Sequence, residues 1–161
     1  MPRSYTTLTL DDAKRMLRAG EAAAASIGIA YNIAVVDAGG NLLAFVRQDG
    51  ALIGSIDLAI GKAATARIFD KSTSLLAELA QPGKSLFGIQ ETNSGQVVIF
   101  GGGIPVISDG VIVGAVGASA GTVEQDIAVA EAAVAALPMA RSMLPIRAPS
   151  CLEKATSAEP T

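Results

Sequence analysis

The sequence predicts an α+β domain, a sandwich in which helices cover a mainly antiparallel five-stranded sheet in the order α-ββ-αα-βββ-α. Two observations carry this. Short β-branched runs are interleaved with stretches of helical periodicity. Two pairs of those runs are joined by glycine turns of hairpin type, Gly39-Gly40-Asn41 and Asp109-Gly110.

Taken in order, the first helix is expected at Thr9, where Thr9-Leu10-Asp11-Asp12 approximates a capping box. Leu10, Ala13, Met16, Leu17, Ala24 and Ile27 then recur near helical spacing, and Gly28 is the stop. Strands over residues 33–37 and 42–47 flank the first turn. An alanine-rich helix over 55–69 and a shorter one over 72–79 follow, closed by Pro82-Gly83, and 84–95 reads as an irregular crossing. Three strands are expected at 96–100, 104–108 and 111–119. The last helix opens at Thr122, whose hydroxyl is placed to cap the Gln125 amide while Gln125 reaches back, and it ends before Pro138. From Pro145 apolar periodicity is lost, so 1–144 reads as one domain and 145–161 as a flexible tail.

A length of 161 residues suits one hydrophobic core. Half of the chain is apolar, yet aromatics are 4% and Trp is absent, so the core must be built from Ala, Val, Ile and Leu. So apolar a short chain implies surface buried between copies, and a homo-oligomer is expected, held by small-residue faces of the alanine-rich helices and glycine-rich strands. A net charge of −3 without a Lys/Arg cluster argues against nucleic acid. No apolar run reaches the roughly 18 residues of a spanning helix, and the N-terminus lacks the apolar segment of a signal peptide. The expectation is a cytoplasmic protein with no membrane partner. Cys151 stands alone, which excludes an intrachain disulfide and reads as an incidental thiol.

The densest signal lies between Val98 and Asp126, where seven glycines interrupt two apolar strands. Glycines there mean that backbone approaches something closely or adopts positive φ. This stretch and the helix before it carry a family resemblance. Ala59, Lys62, Ala63, Thr65 and Ala66 form an Ala-x-x-Lys-Ala-x-Thr-Ala helix; Gly-Gly-Gly-Ile-Pro-Val, Val-Gly-Ala-Val-Gly-Ala-Ser and Gln125-Asp126 opening an alanine-rich helix follow. From about Leu8 to Leu137 the chain resembles the GlcG/HbpS-like family, once DUF336, which includes the C-terminal domain of PduO-type adenosyltransferases. The resemblance implies a profilin-like arrangement and a small-molecule ligand, with haem as the cofactor reported for some members.

Several residues are candidates for a site. Gly101, Gly102 and Gly103 before Pro105 offer bare backbone and an anion nest, or else a bend at a sheet edge protected by the proline. Lys62 and Thr65 lie one turn apart, with Asp57 about a turn and a half before Lys62, and a lysine on a small-residue face can meet an anionic ligand or remain a solvated cation. Arg47 and Asp37 each end a strand of the first hairpin and are expected near one rim as an ion pair, with Arg47 as a carboxylate clamp in the sharper reading. Glu124, Gln125 and Asp126 read as first-turn residues favoured by the helix dipole. With no histidine in the chain, there is no imidazole base and no imidazole ligand for zinc, iron or haem. Tyr5, Tyr31, Met16, Met139, Met143 and Cys151 remain as weaker donors.

Two functions are therefore expected. One is an oligomeric binding protein that holds haem, a related tetrapyrrole or a smaller planar organic acid in an apolar cleft between the Lys62 helix and residues 101–105. The other is an enzyme of the tautomerase, lyase or hydrolase type, with Lys62 or Arg47 holding a substrate carboxylate and Asp57, Asp37 or Glu91 as acid or base.

Overall fold

The computed structural model describes residues 1–138 and 140–142, and the side chains of 1–138. Helix α1 spans Leu10–Ile27, and Thr9 caps it by accepting from the Asp12 amide while the Asp12 carboxylate accepts from the Thr9 amide. Gly28 closes it in the left-handed region at φ 80°, where a side chain would be strained. Strands β1 (Asn32–Asp37) and β2 (Leu42–Arg47) form the first hairpin. Helix α2 (Ser55–Ile68) and the short α3 (Thr73–Leu79) follow. After two single-turn 3₁₀ segments come β3 (Gly103–Ser108), β4 (Val111–Ser119) and α4 (Val123–Ala135). The β3–β4 turn places both Asp109 and Gly110 at positive φ, 49° and 77°, as the Asp-Gly pair demands. Thr122 and Gln125 form the expected capping box of α4.

The sheet is antiparallel throughout, in the order β2-β1-β4-β3, and the three-residue β5 (Ala140–Ser142) pairs along β3. Its two faces bury different cores. On one, α1 and α4 contribute Met16, Leu17, Val129 and Val134 against Ile33, Val35, Ile104 and Val116. On the other, Ala59, Ala63 and Ala66 of α2 meet Ala34, Val36 and Ala115.

The strand inventory departs from expectation at two places. Residues 96–100 are not a strand; the segment runs along α2 instead, with Val98 against Gly61. Its Val98 amide donates to Thr65 Oγ1 at 3.0 Å rather than to a ladder. The expected order α-ββ-αα-βββ-α thus becomes α-ββ-αα-ββ-α-β, with β5 after the last helix. Asp37 and Arg47 were expected at one rim, but antiparallel pairing sets Arg47 opposite Asn32 and leaves Asp37 at the turn. They sit at opposite ends of the hairpin. The Asp37 carboxylate serves that turn, accepting from the amides of Gly39 (2.8 Å) and Asn41 (3.0 Å). The tail from residue 145, with Cys151, and Met139 and Met143 lie outside the described residues.

The small-residue faces expected between copies are used within the chain. A Cβ on Gly117 would collide with the carbonyl oxygen of Ala59 and lie 2.5 Å from the Ala63 nitrogen; Gly103, its partner across the ladder, faces the Lys62 carbonyl in the same way. Helix α2 therefore rests backbone on backbone over the β3–β4 pair, which only glycine permits. Gly117→Ala should destabilise the fold by about 3 kcal/mol, the upper end for forcing atoms into a packed interior. Gly54→Ala, where a Cβ meets nothing within 4 Å, should stay within about 0.5 kcal/mol of wild type in the same urea titration.

Candidate ligand-binding site

The alanine face of α2 includes one long polar side chain. Lys62 follows Ala59 by one turn, so it points with the alanines into the sheet, where it is fully buried. An ammonium without water must find acceptors. Lys62 Nζ donates to Asp126 Oδ2 at 2.5 Å and to the Ala118 carbonyl at 3.0 Å, and sits 4.8 Å from the centre of the Phe100 ring. All three directions of the ammonium thereby face an acceptor or a π-surface.

Asp126 is equally committed. It lies in the first turns of α4, and its second oxygen, Oδ1, accepts from the amides of Ala120 (3.0 Å) and Gly121 (3.1 Å) at the end of β4. The carboxylate thus ties α4 to β4 and to α2 while favouring the helix dipole. Burial pushes the Lys62 ammonium below the ordinary lysine range, and its bond to Asp126 opposes that push. Gly102, at φ 115°, lets the chain pass over this pair: a Cβ there would lie 2.7 Å from the Ala118 carbonyl and 2.9 Å from Lys62 Nζ.

Tyr31 completes the polar cluster. Its ring is fully buried, and its hydroxyl finds no hydrogen-bond partner among the described residues. Burial raises the phenol's pKa, and the nearby Asp126 charge adds to the shift.

The structure brings together part of the expected site. Lys62, Gly101, Gly102 and Gly103 meet, and Thr65 joins them through its bond to the Val98 amide, but all five are buried and Lys62 is taken by Asp126. The space between α2 and Gly102-Gly103 is filled by the chain's own atoms, so the pair forms a contact rather than an open cleft. Pro105 is buried inside β3, opposite Ala115. Arg47 and Asp57 are exposed, and among the described residues neither makes a hydrogen bond or ion pair. Glu91 is exposed in a 3₁₀ turn.

The sequence reading gave Asp126 only to the helix dipole and Tyr31 only to the weaker donors, and it did not single out Phe100. One signal was available for Asp126: a lysine on a helix apolar on every side must be buried and must have an acid, and acids after the glycine run are few.

Outside this cluster the surface is apolar and open. Phe100, Leu75 and Val123 are 37%, 36% and 38% exposed. Gly101, next to Phe100 in the chain, is buried: a Cβ there would meet Ser74 Oγ at 2.7 Å and Val123 and Ile127 at 2.8 Å. Phe100 is also the ring that covers Lys62, so the patch lies directly over the buried ion pair. Among the described residues no group of three His, Cys, Asp or Glu is placed to hold a metal ion. No helix among them is long and apolar enough to cross a membrane.

An α+β sandwich, its antiparallel sheet clamped to an alanine-rich helix by a buried lysine–aspartate pair, is the class these features define. Residues 8–135 match the family model described as haem degrading protein HbpS-like, and the chain belongs to that HbpS-like (DUF336) family. A Citrobacter freundii relative, an uncharacterised 15.0 kDa protein from the dhaT-dhaS intergenic region, is 48% identical over 113 residues, 70% of this chain and 80% of its own length. The crystal structure of Klebsiella pneumoniae protein ORFY superposes with a TM-score of 0.82 at 41% identity, covering 84% of this chain and 93% of that one. That of a PduOC:heme complex gives 0.79 at 36% identity, covering 82% and 96%.

The orphaned Tyr31 hydroxyl yields a pH prediction. Since its folded pKa is raised, the unfolded phenol ionises at about 10 while the folded one does not. Stability contributed by the neutral phenol is complete below that pH and is lost as pH rises beyond it. Tyr31→Phe, which removes a hydroxyl without a partner, should be neutral or slightly stabilising at pH 7 and should flatten the alkaline decline. Melting curves from pH 7 to pH 11 check both; a clear loss at pH 7 would mean the hydroxyl is bonded.

Proposed function

We propose that this protein binds a planar, largely apolar organic acid of the tetrapyrrole class, haem included, as an assembly of more than one copy. The observation that carries the reading is the exposed apolar surface of Phe100, with Leu75 and Val123 also partly open. The exposed aromatic offers a flat ligand a stacking face. The solved haem complex of a PduOC relative at 36% identity supports the ligand class. The buried Lys62–Asp126 pair lies behind Phe100, and Thr65, Gly102 and Gly103 belong to the packed interior rather than to the ligand surface. Arg47 and Asp57 do not enter this site.

The side chains of the patch, Phe100, Leu75 and Val123, supply no iron ligand for haem. There is no histidine, Met16 is buried in the core, Tyr31 is enclosed beside Asp126, and Lys62 is paired. Recognition in this reading runs through the macrocycle face, and the iron adds little.

Metal-free protoporphyrin should therefore bind about as tightly as hemin, followed by fluorescence quenching for the first and the Soret shift for the second. Hemin binding without protoporphyrin binding would mean that the chain supplies an iron ligand. Binding of neither would remove the tetrapyrrole reading altogether.

A further inference from the structure

A cavity of about 270 Å³ lies at the turn end of the β3–β4 pair, enclosed by the sheet, α1, the end of α4 and the segment that precedes α1. It is remote from Phe100 and the buried ion pair. Val113 on its wall and Ala118 beside Lys62 are five residues apart on β4, about 17 Å at the rise of an extended strand.

An irregularity in the ladder shapes one wall. Val106 pairs with Gly114 and Ile107 with Ile112, so Val113 has no partner on β3 and is the extra residue of a β-bulge. Its carbonyl accepts from the Leu8 amide at 2.9 Å, which fastens the segment before α1 to the bulge. Gly114 lets Leu8 lie close there, since a Cβ would stand 2.5 Å from Leu8 Cδ1. The Thr7 hydroxyl accepts from the Ala38 amide at 3.0 Å and holds the segment at a second point.

The lining has two chemistries. Leu8, Val113 and Leu137 are apolar, and the first two are buried. Across from this apolar part the cavity offers the exposed Arg15 of α1 and the hydroxyls of Thr6 and Ser108. Among the described residues Arg15 has no ion-pair partner. Asp12 also lines the cavity, but it serves the helix cap: its Oδ2 accepts from the Thr9 amide and hydroxyl, and these bonds hold its carboxyl below the usual carboxylate range.

We propose that this cavity is a second ligand site, for a small monocarboxylate whose apolar body packs on Leu8, Val113 and Leu137 while its carboxylate meets Arg15. Size sets the body. An apolar protein cavity of about 150 Å³ holds benzene, so this one has room for a six-membered ring with a carboxylate and none for a tetrapyrrole. Charge sets the head group. Asp12 stays ionised close to the guanidinium, so one negative charge is accommodated and a dianion, such as a phosphate monoester, is repelled.

Benzoate is the probe, added to the full chain while amide chemical shifts are followed. Titrated to about 10 mM, it should give saturable shifts at Thr7, Leu8, Ser108 and Val113 and leave Phe100 in place. Benzyl alcohol, which keeps the ring and lacks the charge, should bind about tenfold more weakly. Arg15→Gln, at an exposed position, should keep the fold, weaken benzoate to the same extent and leave benzyl alcohol unchanged. Absence of saturable shifts, shifts centred on Phe100, or an Arg15→Gln variant that binds benzoate as tightly as wild type would overturn the proposal. The tetrapyrrole reading is tested separately, since hemin is too large for this cavity and Arg15→Gln should leave its binding unchanged.

Discussion

One buried ion pair sets the terms for the rest of this fold. Lys62 and Asp126 come from helices on opposite sides of the sheet, and the pair joins α2 to the β4–α4 junction through the end of the sheet. An isolated buried charge costs several kcal/mol, so neither residue is tolerable without the other. Their surroundings follow from that need. The carbonyl of Ala118 and the amides of Ala120 and Gly121 must be left free of other partners, and Gly102 must carry no side chain. Phe100 must close the last open direction. For the lysine to reach so far, α2 must lie almost in contact with the strands, which explains Gly103 and Gly117 beneath it.

The same constraint shapes what the molecule offers a ligand. Two of the groups that looked available for acid–base work are committed: Lys62 to Asp126, and Asp37 to its own turn. What remains exposed beside the buried pair is the apolar ring of Phe100. Such a surface favours binding a flat ligand over moving a proton. The charged residues of the expected set that stay exposed, Arg47, Asp57, Glu91 and Glu124, are not gathered around the buried pair.

How much was legible in the sequence depended on the range of the interaction. Capping boxes at Thr9 and Thr122, the stop at Gly28 and the Asp109-Gly110 turn are written within four residues of themselves, and each stands where the sequence placed it. The strand expected at 96–100 has the right residues, but its Val98 amide goes to the Thr65 hydroxyl on α2 rather than to a ladder, a contact 33 residues away that local sequence does not show. The glycine run was correctly read as close backbone approach; what approaches is α2 itself. Lys62 was singled out, whereas its partner, 64 residues away, was read as a dipole residue, since sequence spacing carries no information about contacts across the sheet. The Asp37–Arg47 pairing failed on simpler grounds, because the ends of two successive antiparallel strands lie at opposite ends of the hairpin.

The central claim is that Lys62 and Asp126 act as a unit on which folding depends, and a double-mutant cycle in urea measures it directly. With Lys62→Met and Asp126→Leu, each single variant strands a buried charge and should lose about 3–5 kcal/mol. The double variant strands none, so it should lose far less than the sum, with a coupling energy of about 2 kcal/mol or more. Losses that add to within about 0.5 kcal/mol would show two independent residues, and the account built on their pairing would be wrong.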